Sequence, residues 1–277
     1  MSKIEKALGK ARQDRGNLQL VPVSGGVAAP AGTALVAHRA AHPETIENMI
    51  AGESKLLAPG ELSAFKIIQQ ERAHDPVVQV FRELRTKVVQ HSQGQGSVVL
   101  VTAVGLGSGR SFIAKNLGAA FAFDAGKTAL LVDCDFKNPS VHRWIPNASG
   151  PGLMDYLDNP DLDIAEIIRP AGIPRYRAIT AGAPRKIPGE YFSSLKMRRL
   201  MDAIRVRYNE RYIILDGPPM TDMADTRILS EFSDYVLIVA RYGRSTSAQI
   251  AGCLNAVSDR KLLGIVFNDE PHLPRLR

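Results

Sequence analysis

One short stretch constrains this chain more than any other: Gly105-Leu-Gly-Ser-Gly-Arg-Ser111. It lies between an apolar run of strand length at 98–102 and a helical pattern from Ser111 to about residue 124. Glycines at 105, 107 and 109 let the backbone curl so that successive N–H groups, including that of Ser108, point at one anion. The N-terminus of the following helix adds partial positive charge. Ser111 carries its hydroxyl where such loops ligate Mg²⁺. The plainer alternative is an ordinary strand-to-helix turn. The loop alone leaves that alternative standing, because the lysine of phosphate-binding loops is replaced by Arg110. A dinucleotide fingerprint fits worse, since its third glycine would fall on Arg110.

The rest of the chain supplies a frame for such a loop. A second apolar run at 128–132 ends at Asp133, and others lie at 212–215, 235–240 and 262–267, with helical patterns between them, notably at 194–208. Strand and helix alternate, and the strands are continuous apolar runs. Both features predict a doubly wound, mostly parallel α/β sheet covered on two faces, the P-loop NTPase class. Ligands of such sheets bind beyond the C-terminal strand ends. Asp133 and Asp135 follow one strand there, and Asp216 ends another. Carboxylates at that edge can hold hydrated Mg²⁺ directly or through water. Each acid alone reads as a solvated strand end; three of them with one glycine loop, in this order, do not read as chance.

The N-terminal third is organised differently. Ile4, Ala7, Leu8 and Ala11 share one face of an amphipathic helix over 1–16, basic on its other face. A helix this short is marginal alone, so a docked helix and a frayed tail weigh equally. Residues 17–74 read as a linker and weakly structured extension, with faint helical pattern at 43–70. The folded domain is placed at 75–277, opening on Asp75-Pro76 as cap and first turn of a helix. On that helix Arg82 and Arg85 lie three residues apart, opposite an apolar face of Val77, Val80, Phe81, Leu84 and Val88.

Composition excludes several classes. The chain has 277 residues, a net charge of +7 and 45% hydrophobic residues, enough for one large α/β domain with extensions. No nucleic-acid-binding signature accompanies the charge. Cys134 and Cys253 stand apart among apolar neighbours and read as reduced core thiols, and the six histidines show no ligand spacing. No apolar run spans a bilayer and no signal peptide opens the chain, which predicts a cytoplasmic protein that reaches a membrane only through a partner or the N-terminal helix.

The motifs together resemble the bacterial tyrosine kinases that accompany capsule and exopolysaccharide export. The glycine loop corresponds to their Walker A motif, Leu130-Leu-Val-Asp-Cys-Asp-Phe-Lys-Asn-Pro139 to their A′ motif, and Tyr212-Ile-Ile-Leu-Asp-Gly-Pro-Pro219 to their Walker B strand. Phe81-Arg82-Glu-Leu-Arg85-Thr86 resembles the arginine helix through which those kinases form rings. The resemblance implies ATP or ADP with Mg²⁺ as cofactor. It implies a nucleotide site of Gly105, Gly107, Ser108, Gly109, Arg110, Ser111 and Phe112, with metal held by Ser111, Asp133 and Asp216. Asp133 or Asp135 would take the substrate's proton. Asn268 reads either as an adenine contact or as a turn residue. Arg82 and Arg85 would form an oligomer interface, and a membrane co-polymerase would be the partner.

The departures from the family pattern weaken catalysis. Arg110 places its charge differently from a lysine, and phosphoryl transfer depends on placement. Phe112 stands where a second hydroxyl is usual, with a ring that could crowd the nucleotide. Gly217 replaces the Walker B hydroxyl, Lys137 an arginine, and Gln79 an acid of the arginine helix. The chain closes on Pro271-His-Leu-Pro-Arg-Leu-Arg277, with Tyr242 its last tyrosine and no tyrosine cluster. The expectation is a kinase-like regulator of polysaccharide assembly whose catalysis is weak or lost. An active tyrosine kinase or slow ATPase is the alternative, and a partition or septum-positioning ATPase ranks lower because Gly105 stands at the signature lysine of that class.

Overall fold

Successive residues along each central strand enter two different apolar cores, and this alternation organises the molecule. The computed structural model describes residues 19–21, 55–183, 188–206, 210–221 and 223–270. The amphipathic helix read over 1–16 and the run 271–277 lie outside the described residues. The strands are β1 (Gln19–Val21), β2 (Val98–Ala103), β3 (Thr128–Asp133), β4 (Arg169–Pro170), β5 (Tyr176–Ile179), β6 (Arg211–Asp216), β7 (Tyr235–Arg241) and β8 (Leu262–Asn268). The helices are α1 (Pro59–Ala64), α2 (Pro76–His91), α3 (Arg110–Ala122), α4 (Leu153–Asp158), α5 (Ile164–Ile167), α6 (Pro188–Phe192), α7 (Leu195–Val206), α8 (Met223–Phe232) and α9 (Ser247–Ala256).

One sheet runs in the order β1-β8-β7-β2-β6-β3-β5-β4. Its inner pairs are parallel, and only the edge pairs β1·β8 and β4·β5 are antiparallel. Val98 and Leu100 of β2, Leu130 and Val132 of β3, and Ile213 and Leu215 of β6 pack with Met154, Leu200, Met201, Ile204 and Leu229 from α4, α7 and α8. Val99, Val101, Ala129, Leu131, Tyr212 and Ile214 pack on the other side with Phe81, Leu84, Ile113 and Leu117 of α2 and α3. The doubly wound sheet expected from the apolar runs is therefore present. Phe121 stacks on Tyr212 at 3.9 Å between ring centroids, joining α3 to the sheet.

Asp75 caps α2 as its sequence suggests: its carboxylate accepts the N–H of Val77 at 2.8 Å, and Pro76 opens the first turn. Three features escape a periodicity reading. β5 has only four residues and carries Arg177 in its middle. β1 lies inside the stretch read as linker, yet pairs with β8 from Gln19 opposite Phe267 to Val21 opposite Ile265. The core also reaches back before Asp75, for Leu57, Ile67 and Ile68 are buried against α3 and its neighbours. The tie is polar. Asn116, fully buried on α3, accepts the N–H of Ile68 at 2.8 Å and donates to the carbonyls of Lys66 and Phe112, each at 3.0 Å.

Candidate functional site

The strand order brings the C-terminal ends of β2, β6 and β3 side by side. The glycine loop leaves β2, Asp216 ends β6 and Asp133 ends β3. Two of its glycines are required by conformation. Gly107 has φ +72° and Gly109 has φ +87°, a region that disfavours residues with a Cβ. Gly109 caps α3, and a Cβ there would lie 2.1 Å from Nδ2 of Asn268. At Gly105 a Cβ would meet nothing. The buried Ser108 donates its hydroxyl to the carbonyl of Gly105 at 2.8 Å, which tightens the turn. This curled backbone at a helix N-terminus of 13 residues suits an anionic group. Leu106 stands out from it, 71% exposed.

Asn268 ends β8 and braces the loop: its Nδ2 donates to the carbonyl of Ser108 at 3.0 Å. The site also contains a residue that sequence reasoning did not single out. Arg241 ends β7, beside Asn268 in register, and its Nη1 lies 3.9 Å from the position a Cβ on Gly107 would take. It is held by Asp269, with Nη2 at 2.6 Å and Nε at 2.8 Å. An arginine at the C-terminal end of a strand adjoining the loop strand was the available signal.

Arg110 does not stand at the mouth of the loop. Its side chain is only 8% exposed, and its guanidinium makes a close ion pair with Oδ2 of Asp135 and another with Oδ1 of Asp216 at 3.7 Å from Nε. The three strand-end acids are otherwise occupied too. Asp133 accepts the N–H of Asp135 on Oδ1 at 3.2 Å, and those of Ser140 and Val141 on Oδ2, both at 2.9 Å. Asp135 accepts the N–H of Asn138 on Oδ1 at 3.1 Å. Asp216 accepts hydrogen bonds from the hydroxyls of Ser111 and Ser140. All three carboxylates are essentially buried. Burial pushes Asp133 up to about 6, against the pull of its backbone donors. Burial, with Asp133 beside it, pushes Asp216 up to about 7. One turn further along α3, burial lowers Lys115 to about 8.

The carboxylates therefore converge as the sequence order suggested; Asp133 is taken up by backbone donors, and the inner oxygens of Asp135 and Asp216, which accept no hydrogen bond, face the guanidinium of Arg110. Among the described residues no group of three acids, histidines or cysteines is arranged to hold a metal ion. The loop fits a phosphate; the acids in this arrangement do not fit a divalent cation.

The remaining residues named from sequence fall as follows. Phe112 packs edge-on against Phe81 of α2, with centroids 5.7 Å apart. Burial of part of the ring in the α2–α3 seam gives this position a packing role. Gly217 has a packing reason: a Cβ would lie 2.6 Å from Cδ1 of Leu100. Arg82 is exposed, but Arg85 is half-buried and donates to the carbonyl of Ala120 at 3.1 Å within its own chain. Cys134 and Cys253 are buried free thiols. Tyr242 is 44% exposed. No helix among the described residues is long and apolar enough to cross a membrane.

No protein-family profile matches the chain. It is similar to EpsB of Ralstonia nicotianae (strain ATCC BAA-1114 / GMI1000), assigned as a tyrosine-protein kinase, at 32% identity over 197 residues, covering 70% of this chain and 26% of that protein. The chain thus spans about a quarter of the length of the curated relatives it matches. Among solved structures, the chimerical protein CapA2B2 superposes with a TM-score of 0.67 at 26% identity, over 82% of this chain and 99% of that one. The kinase domain of the Escherichia coli tyrosine kinase ETK shares the fold, with a TM-score of 0.65 at 22% identity over 86% of this chain and 97% of that one.

Proposed function

Because the homologues of this chain are bacterial tyrosine-protein kinases, we propose that it is a kinase-like P-loop protein that binds nucleotide and regulates surface polysaccharide assembly or export, with phosphoryl transfer weak or lost. The regulation would run through a membrane co-polymerase partner, with the nucleotide acting as a structural ligand. The observation that carries the reading is the seat of Arg110. A residue that serves the transferred phosphate must present its charge there, and this guanidinium is closed in by Asp135 and Asp216.

On this reading each residue has a task. The N–H groups of the loop hold the phosphates, Asn268 keeps the loop in its curled form, and Arg241, paired with Asp269, stands at its outer side. Calorimetric titration with ATP and with ADP tests the reading. Binding of either, together with no transfer of phosphate to tyrosine peptides, is the expected result. Absence of binding at millimolar nucleotide would remove the nucleotide role.

A second reading, an active tyrosine kinase or slow ATPase of the same pathway, draws support from Ser111, whose hydroxyl still engages Asp216. Phosphate transfer that disappears in Asp133→Ala would favour it. Retention of transfer in that variant would exclude Asp133 as the proton acceptor.

A further inference from the structure

Magnesium requires about six oxygen ligands at roughly 2.0–2.1 Å in near-octahedral array. A carboxylate oxygen that faces a guanidinium at contact distance cannot also serve as such a ligand, because the two cations would repel and overlap. At the ends of β3 and β6 backbone donors take both oxygens of Asp133, whereas the buried Oδ2 of Asp135 and Oδ1 of Asp216 accept no hydrogen bond and have only Arg110 before them. Asp133 faces three backbone N–H groups. Asp135 faces the N–H of Asn138 and the guanidinium of Arg110. Asp216 faces the hydroxyls of Ser111 and Ser140, while its Oδ1 has only the same guanidinium before it, 3.7 Å away and without a hydrogen bond. The pairing is sealed: the side chains of Arg110, Asp135 and Asp216 are 8%, 1% and 1% exposed.

Removing one side of a buried ion pair leaves an uncompensated charge in a poorly solvated place. Acids grouped in this way therefore need a cation once they ionise. An arginine stays charged at any pH the fold survives, and it offers five donors in a fork suited to two carboxylates at once. Its attachment to α3 keeps it at the site whatever the ionic composition outside.

We propose that Arg110 is a built-in replacement for the divalent cation, bridging Asp135 and Asp216 so that the phosphate loop works without metal. The replacement itself does not depend on nucleotide binding. Its consequence, metal-independent nucleotide affinity, rests on the reading of the loop given above.

The test is direct metal binding and metal rescue in the full chain. Free Mn²⁺ is followed by electron paramagnetic resonance, and melting is recorded in EDTA and in Mg²⁺. The wild type should leave Mn²⁺ free and melt at the same temperature in both. Arg110→Ala should gain a Mn²⁺ site, melt lower than wild type in EDTA, and recover by about 2 °C or more in Mg²⁺, as a ligand that binds only the folded state requires. Arg110→Gln, similar in length but neutral, serves the same comparison where the alanine variant does not fold. Nucleotide affinity of the wild type should differ by less than about threefold between Mg²⁺ and EDTA. A wild-type Mn²⁺ site that vanishes in Asp216→Asn would overturn the proposal. So would folded Arg110 variants that gain neither Mn²⁺ binding nor Mg²⁺ stabilisation. Absence of nucleotide binding in both media, with the metal results as expected, would support the replacement and sink the nucleotide role instead.

Discussion

Asp133 and Asp216 stand opposite one another in the parallel ladder of β3 and β6, with exposures of 0% and 1%, and each is raised well above the ordinary carboxylate range. Two acids so placed oppose each other's ionisation, and burial opposes both. The folded protein therefore holds protons at this pair that the unfolded chain has released.

Below about pH 4 both folded and unfolded states are protonated at Asp216, and the group contributes its full stability. As pH rises toward its folded value of about 7, the unfolded chain ionises first and stability falls. Asp216→Asn removes this term. Urea denaturation from pH 4.5 to 7 should show wild type losing stability relative to the variant, by at most about 1.4 kcal/mol per pH unit. Parallel curves for the two proteins would contradict the raised Asp216.

Gly109 and Asn268 form a second coupled pair. Gly109→Ala places a methyl group in a left-handed backbone position and against Nδ2 of Asn268. A loss of about 1–3 kcal/mol is expected from strain and displacement together. In an Asn268→Ala background the steric part disappears and the backbone part remains. A thermodynamic cycle should give a coupling above about 0.5 kcal/mol. Additive effects would show that Asn268 yields without cost.

A buried amide helps to hold the segment before α2, beside the bond from the Leu57 N–H to the carbonyl of Gly172 and that from Lys115 to the carbonyl of Phe65. Asn116→Leu removes the acceptor of the Ile68 N–H and the donor to the carbonyl of Lys66. Destabilisation of about 1–3 kcal/mol is expected, since buried backbone groups lose partners. Amide exchange at Ile68 should accelerate selectively in the variant, whereas unchanged exchange would mean that the apolar contacts of Leu57 and Ile67 suffice.

The two arginines of α2 should separate in experiment. Arg85→Ala deletes a bond to the carbonyl of Ala120 and should lower stability by about 1 kcal/mol. Arg82→Ala removes an exposed side chain and should stay within about 0.5 kcal/mol of wild type. If the pair forms an interface between copies, light scattering will show a mass change in the Arg82 variant at unchanged stability. Equal masses would confine both arginines to the single chain.

The order of apolar runs, the position of the glycine loop and the three acids after strand ends were all legible in the sequence. They are local signals: a strand buried on both faces must be apolar throughout, a curled loop must contain glycine, and a polar residue must wait for the end of the strand. Asp75 as a helix cap was legible for the same reason. What the sequence alone could not supply was direction. The alternatives for Asn268, for Phe112 and for Arg110 differ in where a side chain turns, and that depends on what packs beside it. Phe112 turns to Phe81, 31 positions earlier in the chain. Asn268 turns to the backbone of Ser108, and Arg110 to acids that β3 and β6 bring to it. Local periodicity fixes which elements form and which edge carries the site. Long-range packing decides which charges meet there, because electrostatic partners in a buried site are chosen by proximity across the sheet rather than by spacing along the chain.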